Sequence, residues 1–374
     1  MAIIRVAIVG LSANAKTAWA AVGHLPYLLS ARGRKNFKIT ALLNSSTEAA
    51  QKAIEKYFPD DTGIKAYGNP EDLAADPEVD LVVTSTRVDT HYSATLPSIK
   101  AGKVPYIEWP LAQDVKHAEE LQDAVGANGK SIVGLQGRYV PLFEKVKALI
   151  DEGKIGKVLS SELRAFGGTV DRETLTNKLD YFTDRSIGGN PITIGFAHLF
   201  DQVQSVLGDV SDIRSIAQIQ RPVVKFIDDK GAVVRSEPTN VPDLLHLSGR
   251  LADNATAVPD ATVSVYFRRG QPFKGQDAFT WSVNGEKGEI RLTARNTTFL
   301  GGQQDPGEVH FQVHDHVTDE LEDITAEWRD WQNEYDYAAA KAIADVYERY
   351  LNNEPVPTFA EAVELHRKLE QILQ

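Results

Sequence analysis

The stretch Ile3-Ile4-Arg5-Val6-Ala7-Ile8-Val9-Gly10-Leu11-Ser12-Ala13-Asn14-Ala15 decides the fold. A β-branched run stops at a glycine. Small and polar residues follow, and Ala15 to Ser30 has helical composition. A strand that turns tightly into a helix aims backbone N–H groups and the positive end of the helix dipole at an anion. Only the first glycine of a G-x-G-x-x-G pattern is present, with Ser12 and Ala15 where the others would stand. Gly10, Leu11, Ser12, Asn14 and Ala15 are therefore the candidate pyrophosphate cradle. An ordinary strand–helix turn is the alternative.

Outward from this turn the same alternation repeats. Apolar runs at Phe37–Leu43, Leu81–Thr84, Val104–Ile107 and Ser131–Leu135 alternate with helical segments at Thr47–Tyr57, Ser93–Ala101 and Glu119–Asn128. Near-continuous apolar strands joined by crossover-length segments predict a doubly wound parallel sheet with helices on both faces. The second run ends in Asn44-Ser45-Ser46, where a site selective for NAD usually carries an acidic residue. These neutral residues lean toward NADP, with NAD also acceptable, unless they only cap the next helix.

After residue 136 the pattern changes. A helix at Phe143–Glu152 leads into half-exposed strands at Leu159–Ala165, Ala261–Arg268, Phe279–Val283 and Glu289–Thr293, with Asn284-Gly285 as a hairpin signal. Trp331–Leu351 and Thr358–Leu373 read as closing helices, with Thr358 as N-cap and Glu361 completing its box. The expectation is a Rossmann domain over 1–135 and an α+β domain with a large open, mostly antiparallel sheet over 136–374. The C-terminal helix has room to pack back on the first domain.

Composition narrows the function. The chain has 374 residues, 40 Lys plus Arg against 52 Asp plus Glu, a net charge of −12, and no cysteine. That balance argues against nucleic acid or an anionic membrane as a direct partner. It also removes disulfides, thiolate metal sites and a cysteine nucleophile. The N-terminal apolar run is too short to span a bilayer, so a cytoplasmic protein is expected.

Several further pieces line up in order: His24-Leu25-Pro26, Val82 to Thr86 with His91, Ile107-Glu108-Trp109-Pro110-Leu111-Ala112, Gln136 to Pro141, Gly153 to Lys157, Gly188-Gly189-Asn190 before His198 and Asp201, and Gly285 to Glu289. With Gly10 they resemble the glucose–fructose oxidoreductase/inositol dehydrogenase (Gfo/Idh/MocA) family. Val9 to Ser12, Trp109 and Leu135 to Arg138 are most similar to its fungal galactose-repressor-like branch. The resemblance implies an NAD(P) site that includes Ser85, Thr86, His91, Glu108, Trp109 and Arg138. It implies a substrate site drawn from Trp109, Arg164, Tyr181, Asn190 and His198.

Two departures from the family stand out. Trp109 occupies the place of the lysine in Glu-Lys-Pro, and Ile194 that of an aspartate four residues before the histidine. Neither can titrate. The family's machinery then reduces to His198, whose ordinary pKa lies near neutrality, with Tyr181 as the candidate substitute proton donor. His310, His314 and His316 share one face of a probable strand, read as exposed rather than as a metal site. The expected function is an NAD(P)-dependent oxidoreductase acting on a sugar or another carbonyl or polyhydroxylated small molecule. The alternative is a cofactor-binding transcriptional regulator without catalysis. A homodimer or tetramer formed through the apolar part of the sheet is expected.

Overall fold

The computed structural model describes residues 2–13, 18–127, 129–167 and 171–374. The chain forms two compact units, one of residues 1–136, 186–189 and 334–367, the other of 137–185, 190–333 and 368–374.

In chain order the strands begin with β1 (Ile4–Val9), β2 (Phe37–Leu43), β3 (Lys65–Tyr67), β4 (Leu81–Thr84), β5 (Val104–Glu108) and β6 (Ile132–Gly134). There follow β7 (Val158–Gly167), β8 (Thr174–Thr176), β9 (Val210–Gln218), β10 (Val223–Ile227), β11 (Val233–Pro238) and β12 (Leu244–Leu251). The last are β13 (Ala257–Arg269), β14 (Phe279–Gly285), β15 (Gly288–Ala294), β16 (Val309–Asp315) and β17 (Leu321–Asp323). The helices are α1 (Leu25–Leu29), α2 (Thr47–Tyr57), α3 (Pro70–Ala74), α4 (His91–Lys100) and α5 (Val115–Val125). Then come α6 (Pro141–Asp151), α7 (Ala197–Leu207), α8 (Ala338–Leu351) and α9 (Phe359–Ile372).

The first unit is a six-stranded parallel sheet in the order β3-β2-β1-β4-β5-β6. The cores of its central strands are apolar because both faces are covered: Val6 to Ile8 and Leu81 to Val83 are fully buried. The order reverses between β1 and β4, which opens the crevice where such sheets bind ligands. The end of the chain completes this unit. Tyr347 of α8 stacks on Tyr27 of α1 with centroids 5.1 Å apart. The Val133 N–H donates to the Pro357 carbonyl (2.9 Å). Thr358 and Glu361 form the anticipated reciprocal cap.

The second unit holds an eight-stranded sheet, β17-β16-β15-β14-β7-β13-β12-β9, and a three-stranded one, β11-β10-β8. In the large sheet every pairing is antiparallel except β7 with β13. Leu163, Ala165, Val265, Phe267, Trp281 and Val283 form its buried face. Phe143 of α6 lies 5.7 Å from Trp281, and Phe196, just before α7, lies 5.8 Å from Phe267. The other face of β7 and β14 carries Ser160, Glu162, Arg164, Thr280, Ser282 and Asn284. The alternation is as read, and on β7 and β14 this face is polar.

Other expectations shift locally. The helix read from Ala15 is described from Ala20, as a π-type turn running into α1. The helix read from Trp331 starts at Ala338, after a 3₁₀ turn over Asp330–Glu334. α5 starts at Val115 because the Asp114 carboxylate accepts the His117 N–H. The β14–β15 hairpin turns at Glu286-Lys287 instead of Asn284-Gly285, since Asn284 is still paired with Glu289. His314 and His310 lie against the carboxylates of Asp319 and Glu308, so those histidines do have acidic neighbours. No helix among the described residues is long and apolar enough to cross a membrane.

Candidate functional site

The crevice of the first unit is built around Gly10. Its φ is +94°, and a Cβ there would lie 2.4 Å from the Ser85 carbonyl oxygen and 2.6 Å from Thr86 Cγ2. Only glycine allows β1 to turn while the chain after β4 passes this closely. The carbonyls of the next three residues are all tied toward α2. Asn44 Nδ2 donates to the Leu11 carbonyl (2.9 Å), the Tyr57 hydroxyl to that of Ser12 (3.4 Å) and Lys56 Nζ to that of Ala13 (2.7 Å). With its acceptors engaged, the loop offers backbone donors, which is what a pyrophosphate needs. The residues present therefore fit a dinucleotide. Asn14 and Ala15 lie outside the described residues.

Beyond β2 the neutral triplet is largely committed. Asn44 braces the loop, and Ser46 Oγ caps α2 by accepting the Ala49 N–H (3.1 Å), so the capping alternative holds for Ser46. Ser45 is exposed. Glu48 stands in the first turn of α2, and hydrogen bonds from its own amide and the Ser46 hydroxyl hold its carboxyl below the usual range. The sequence reading overlooked Glu48 because it lies beyond the triplet.

Ser85 and Thr86 flank Gly10 at the end of β4. His91 is buried beneath them, Nδ1 2.9 Å from the Pro110 carbonyl and Nε2 3.1 Å from that of Thr86. Burial pushes its pKa down. It joins the loops after β4 and β5.

Glu108, at the end of β5, is also turned inward. His24 Nε2 donates to its Oε1 (2.9 Å), and His24 Nδ1 is 2.9 Å from the Tyr347 hydroxyl. A Cβ on Gly134 would lie 2.5 Å from its Oε2. In this arrangement the carboxylate is spent on a buried network instead of standing open for a ribose. Trp109 is buried against His366 of α9, with ring centroids 4.6 Å apart. His366 Nε2 has no hydrogen-bond partner among the described residues, and burial pushes its pKa down to about 4.

In the second unit the glycine-rich segment leads into a capped helical turn. Asn190 Oδ1 accepts the N–H groups of Ile192 (2.9 Å) and Thr193 (3.1 Å), and Thr193 reciprocates with its hydroxyl. Asn190 Oδ1 thus starts the helical turn. Ile194 packs, together with Tyr181, on the cluster of Leu175, Phe182, Val224 and Phe226. Arg138 forks onto Asp201 of α7, Nε to Oδ2 at 2.9 Å and Nη2 to Oδ1 at 2.7 Å, which engages the guanidinium expected at the cofactor. Arg164 lies on the face of β7 opposite Leu163 and Ala165, with its guanidinium 5.6 Å from the Phe166 ring.

His198 opens α7. It is buried, and no described residue hydrogen-bonds its imidazole. Burial alone pushes its pKa down to about 4, so the ring is neutral at physiological pH rather than poised near it. Its ring neighbour among the described residues is Phe299, centroids 4.9 Å apart and planes 32° apart. Phe299 also walls a cavity of about 350 Å³ in this unit, with Phe166, Gln271, Asn296, Thr298 and Gln303 among its lining. The only charged side chain in that lining, Arg295, pairs with Asp277. Neither Phe299 nor His366 carries a motif, and only the folded chain brings each to its partner.

Comparison with known proteins agrees with this geometry. Residues 4–135 match the oxidoreductase family with an NAD-binding Rossmann fold, and residues 141–294 match the Gal80p C-terminal domain. The chain is 30% identical over 291 residues to the dehydrogenase aclE of Aspergillus oryzae, covering 77% of this chain and 76% of that one. It is 29% identical over 302 residues to the galactose/lactose metabolism regulatory protein GAL80 of Saccharomyces cerevisiae, covering 77% of this chain and 66% of GAL80. A crystal structure of a super-repressor mutant of Gal80p from that yeast superposes with a TM-score of 0.84 at 24% identity, over 100% of this chain and 95% of that one, a likeness of fold. The chain belongs to the Gfo/Idh/MocA family of NAD-binding oxidoreductases and carries a Gal80-like C-terminal domain.

Proposed function

We propose that this protein is a nicotinamide-dependent oxidoreductase acting on an uncharged carbonyl or polyhydroxylated small molecule. The observation that carries the reading is His198: buried, neutral, and without a hydrogen-bond partner among the described residues. A buried polar group normally has its partner inside the protein. One that lacks it is suited to a ligand oxygen. A neutral imidazole of low pKa polarises a carbonyl by N–H donation, as a neutral histidine electrophile does. The cavity that Phe299 also borders favours an uncharged substrate, since amides, hydroxyls and apolar side chains line it and its single cation is paired.

The dinucleotide would be held by Gly10, Leu11 and Ser12 on the loop and by Ser85 and Thr86 beside it. When bound it supplies or takes up the hydride. The neutral triplet after β2 leaned toward NADP. Glu48 at the start of α2 and the spent Ser46 turn that lean toward NAD. A homodimer or tetramer through the large sheet stays within this reading, through a polar contact.

Similarity to GAL80 and the replacement of two ionisable positions by Trp109 and Ile194 favour a second reading, a cofactor-sensing regulator. Calorimetry with NADH and NADPH, followed by a screen of sugars and ketones for absorbance change, separates the two. The oxidoreductase reading expects tighter NADH binding and turnover lost about 10²-fold or more in His198→Gln. Cofactor binding without any turnover would favour the regulator. Glu48→Gln is expected to improve NADPH affinity selectively; an unchanged NADPH:NADH ratio would refute the role given to that carboxylate.

A further inference from the structure

The family's carboxylate that would orient His198 is absent, yet the imidazole is not loose. The Phe299 ring lies against it at 4.9 Å. Phe299 is itself clamped. Its N–H donates to Thr297 Oγ1 (3.0 Å), and its carbonyl accepts the Gly302 N–H (3.1 Å). That turn folds Gly302 back onto the ring: a Cβ at Gly302 would lie 2.8 Å from Phe299 Cδ1. A ring held by its backbone on one side and by a glycine on another has little freedom to leave the imidazole.

The geometry points to Phe299 as the positioning residue of His198, a tilted aromatic ring packed against the imidazole and doing the orienting work that a carboxylate would do. This rests on His198 being the group that meets substrate. The two devices differ in consequence. A carboxylate fixes an imidazole by accepting from one nitrogen and favours its charged form. A ring face fixes the plane and leaves both nitrogens available. No titratable group on the capped turn 191–196 or the segment 297–302 faces His198, since neither contains one. On its own helix Asp201 is taken by Arg138. The charged residues of α6, Glu144, Lys145, Lys147 and Asp151, lie off that helix's buried positions. The neutral state then follows from burial under the ring.

The test is histidine NMR on the full chain with ring-labelled histidine, the His198 signals assigned by their loss in His198→Gln. Phe299→Leu removes the ring at similar bulk. Phe299→Tyr keeps it. Gly302→Ala pushes it. The expected result is that the His198 ring signals lose their ring-current displacement in Phe299→Leu, shift in Gly302→Ala, and stay near wild type in Phe299→Tyr. The His198 titration midpoint should rise toward the ordinary histidine value in Phe299→Leu. Where turnover is found, kcat should fall about 10–10²-fold in Phe299→Leu with KM little changed, and Phe299→Tyr should restore most of it. His198 signals and midpoint unchanged in Phe299→Leu would overturn the proposal. If Phe299→Leu does not fold, unchanged signals in Gly302→Ala would overturn it instead. The NMR arms need no substrate. The expected shifts without any wild-type turnover would leave the positioning role standing and remove the oxidoreductase reading alone.

Discussion

Acid should unfold this protein through its buried neutral histidines, and each unit carries its own reporter. His366 in the first unit and His198 in the second both have pKa values pushed down to about 4 by burial. In the unfolded chain each returns to about 6.5. A depressed histidine pKa means that the unfolded state binds more protons between those values, so stability falls as pH drops from about 6.5 to about 4. At pH 4.5 the unfolded form gains about 60-fold over the folded form per histidine relative to pH 7, about 2.4 kcal/mol. His91, also buried with a lowered pKa, adds a loss of the same sign to the first unit. The assay is hydrogen exchange at pH 7 and pH 4.5, read on peptides of β1–β6 for the first unit and β13–β15 for the second. His366→Gln should flatten the pH dependence in the first set only, and His198→Gln in the second only. A variant that is less stable at both pH values but keeps the wild-type difference would refute the reasoning. The buried imidazole would then not be the group taking up the proton.

Two further outcomes follow from the packing. Gly10→Ala should destabilise the first unit by at least about 2 kcal/mol, because an L residue at positive φ costs about 1–2 kcal/mol before the overlap with Ser85 is counted. It should also weaken NADH binding more than tenfold in calorimetry, and wild-type affinity would mean that the cofactor does not approach this turn. Asp201→Asn should cost about 2–3 kcal/mol in urea denaturation, below the full range for a buried pair because Arg138 retains 19% exposure. A loss under about 0.5 kcal/mol would mean that the fork contributes no more than an exposed ion pair.

What could be read from the sequence follows what is local. β2 and β4 were legible to the residue because strands buried on both faces are mostly apolar, with Lys38 the one exposed position of β2. α5 and α8 were displaced because their starts depend on Asp114 and on a 3₁₀ turn, not on periodicity. The strands of the small sheet escaped notice, since β10 and β11 are short and their exposed valines blur the alternation. At the site the residue types were legible but not how they are spent. Ser46, Asn190 and Arg138 have polar groups suited to a ligand, and the folded backbone gives them internal partners first. Phe299 and His366 matter through contacts about a hundred residues or more away along the chain, and no spacing rule reports those.

The first unit is sewn shut by the end of the chain, and this sets an order of events during synthesis. Residues 1–136 leave the ribosome first, but 334–367 arrive only after the whole eight-stranded sheet has been made. At about 5–20 residues per second that interval lasts on the order of ten seconds or more. Until then Tyr27 and Phe37 have no Tyr347 to cover them, and the edge of β6 lacks the Pro357 carbonyl. The nascent nucleotide-binding half therefore waits as a sticky, unfinished sheet. A premature stop upstream of α8 would strand it in that state even though every residue of its sheet had already been translated.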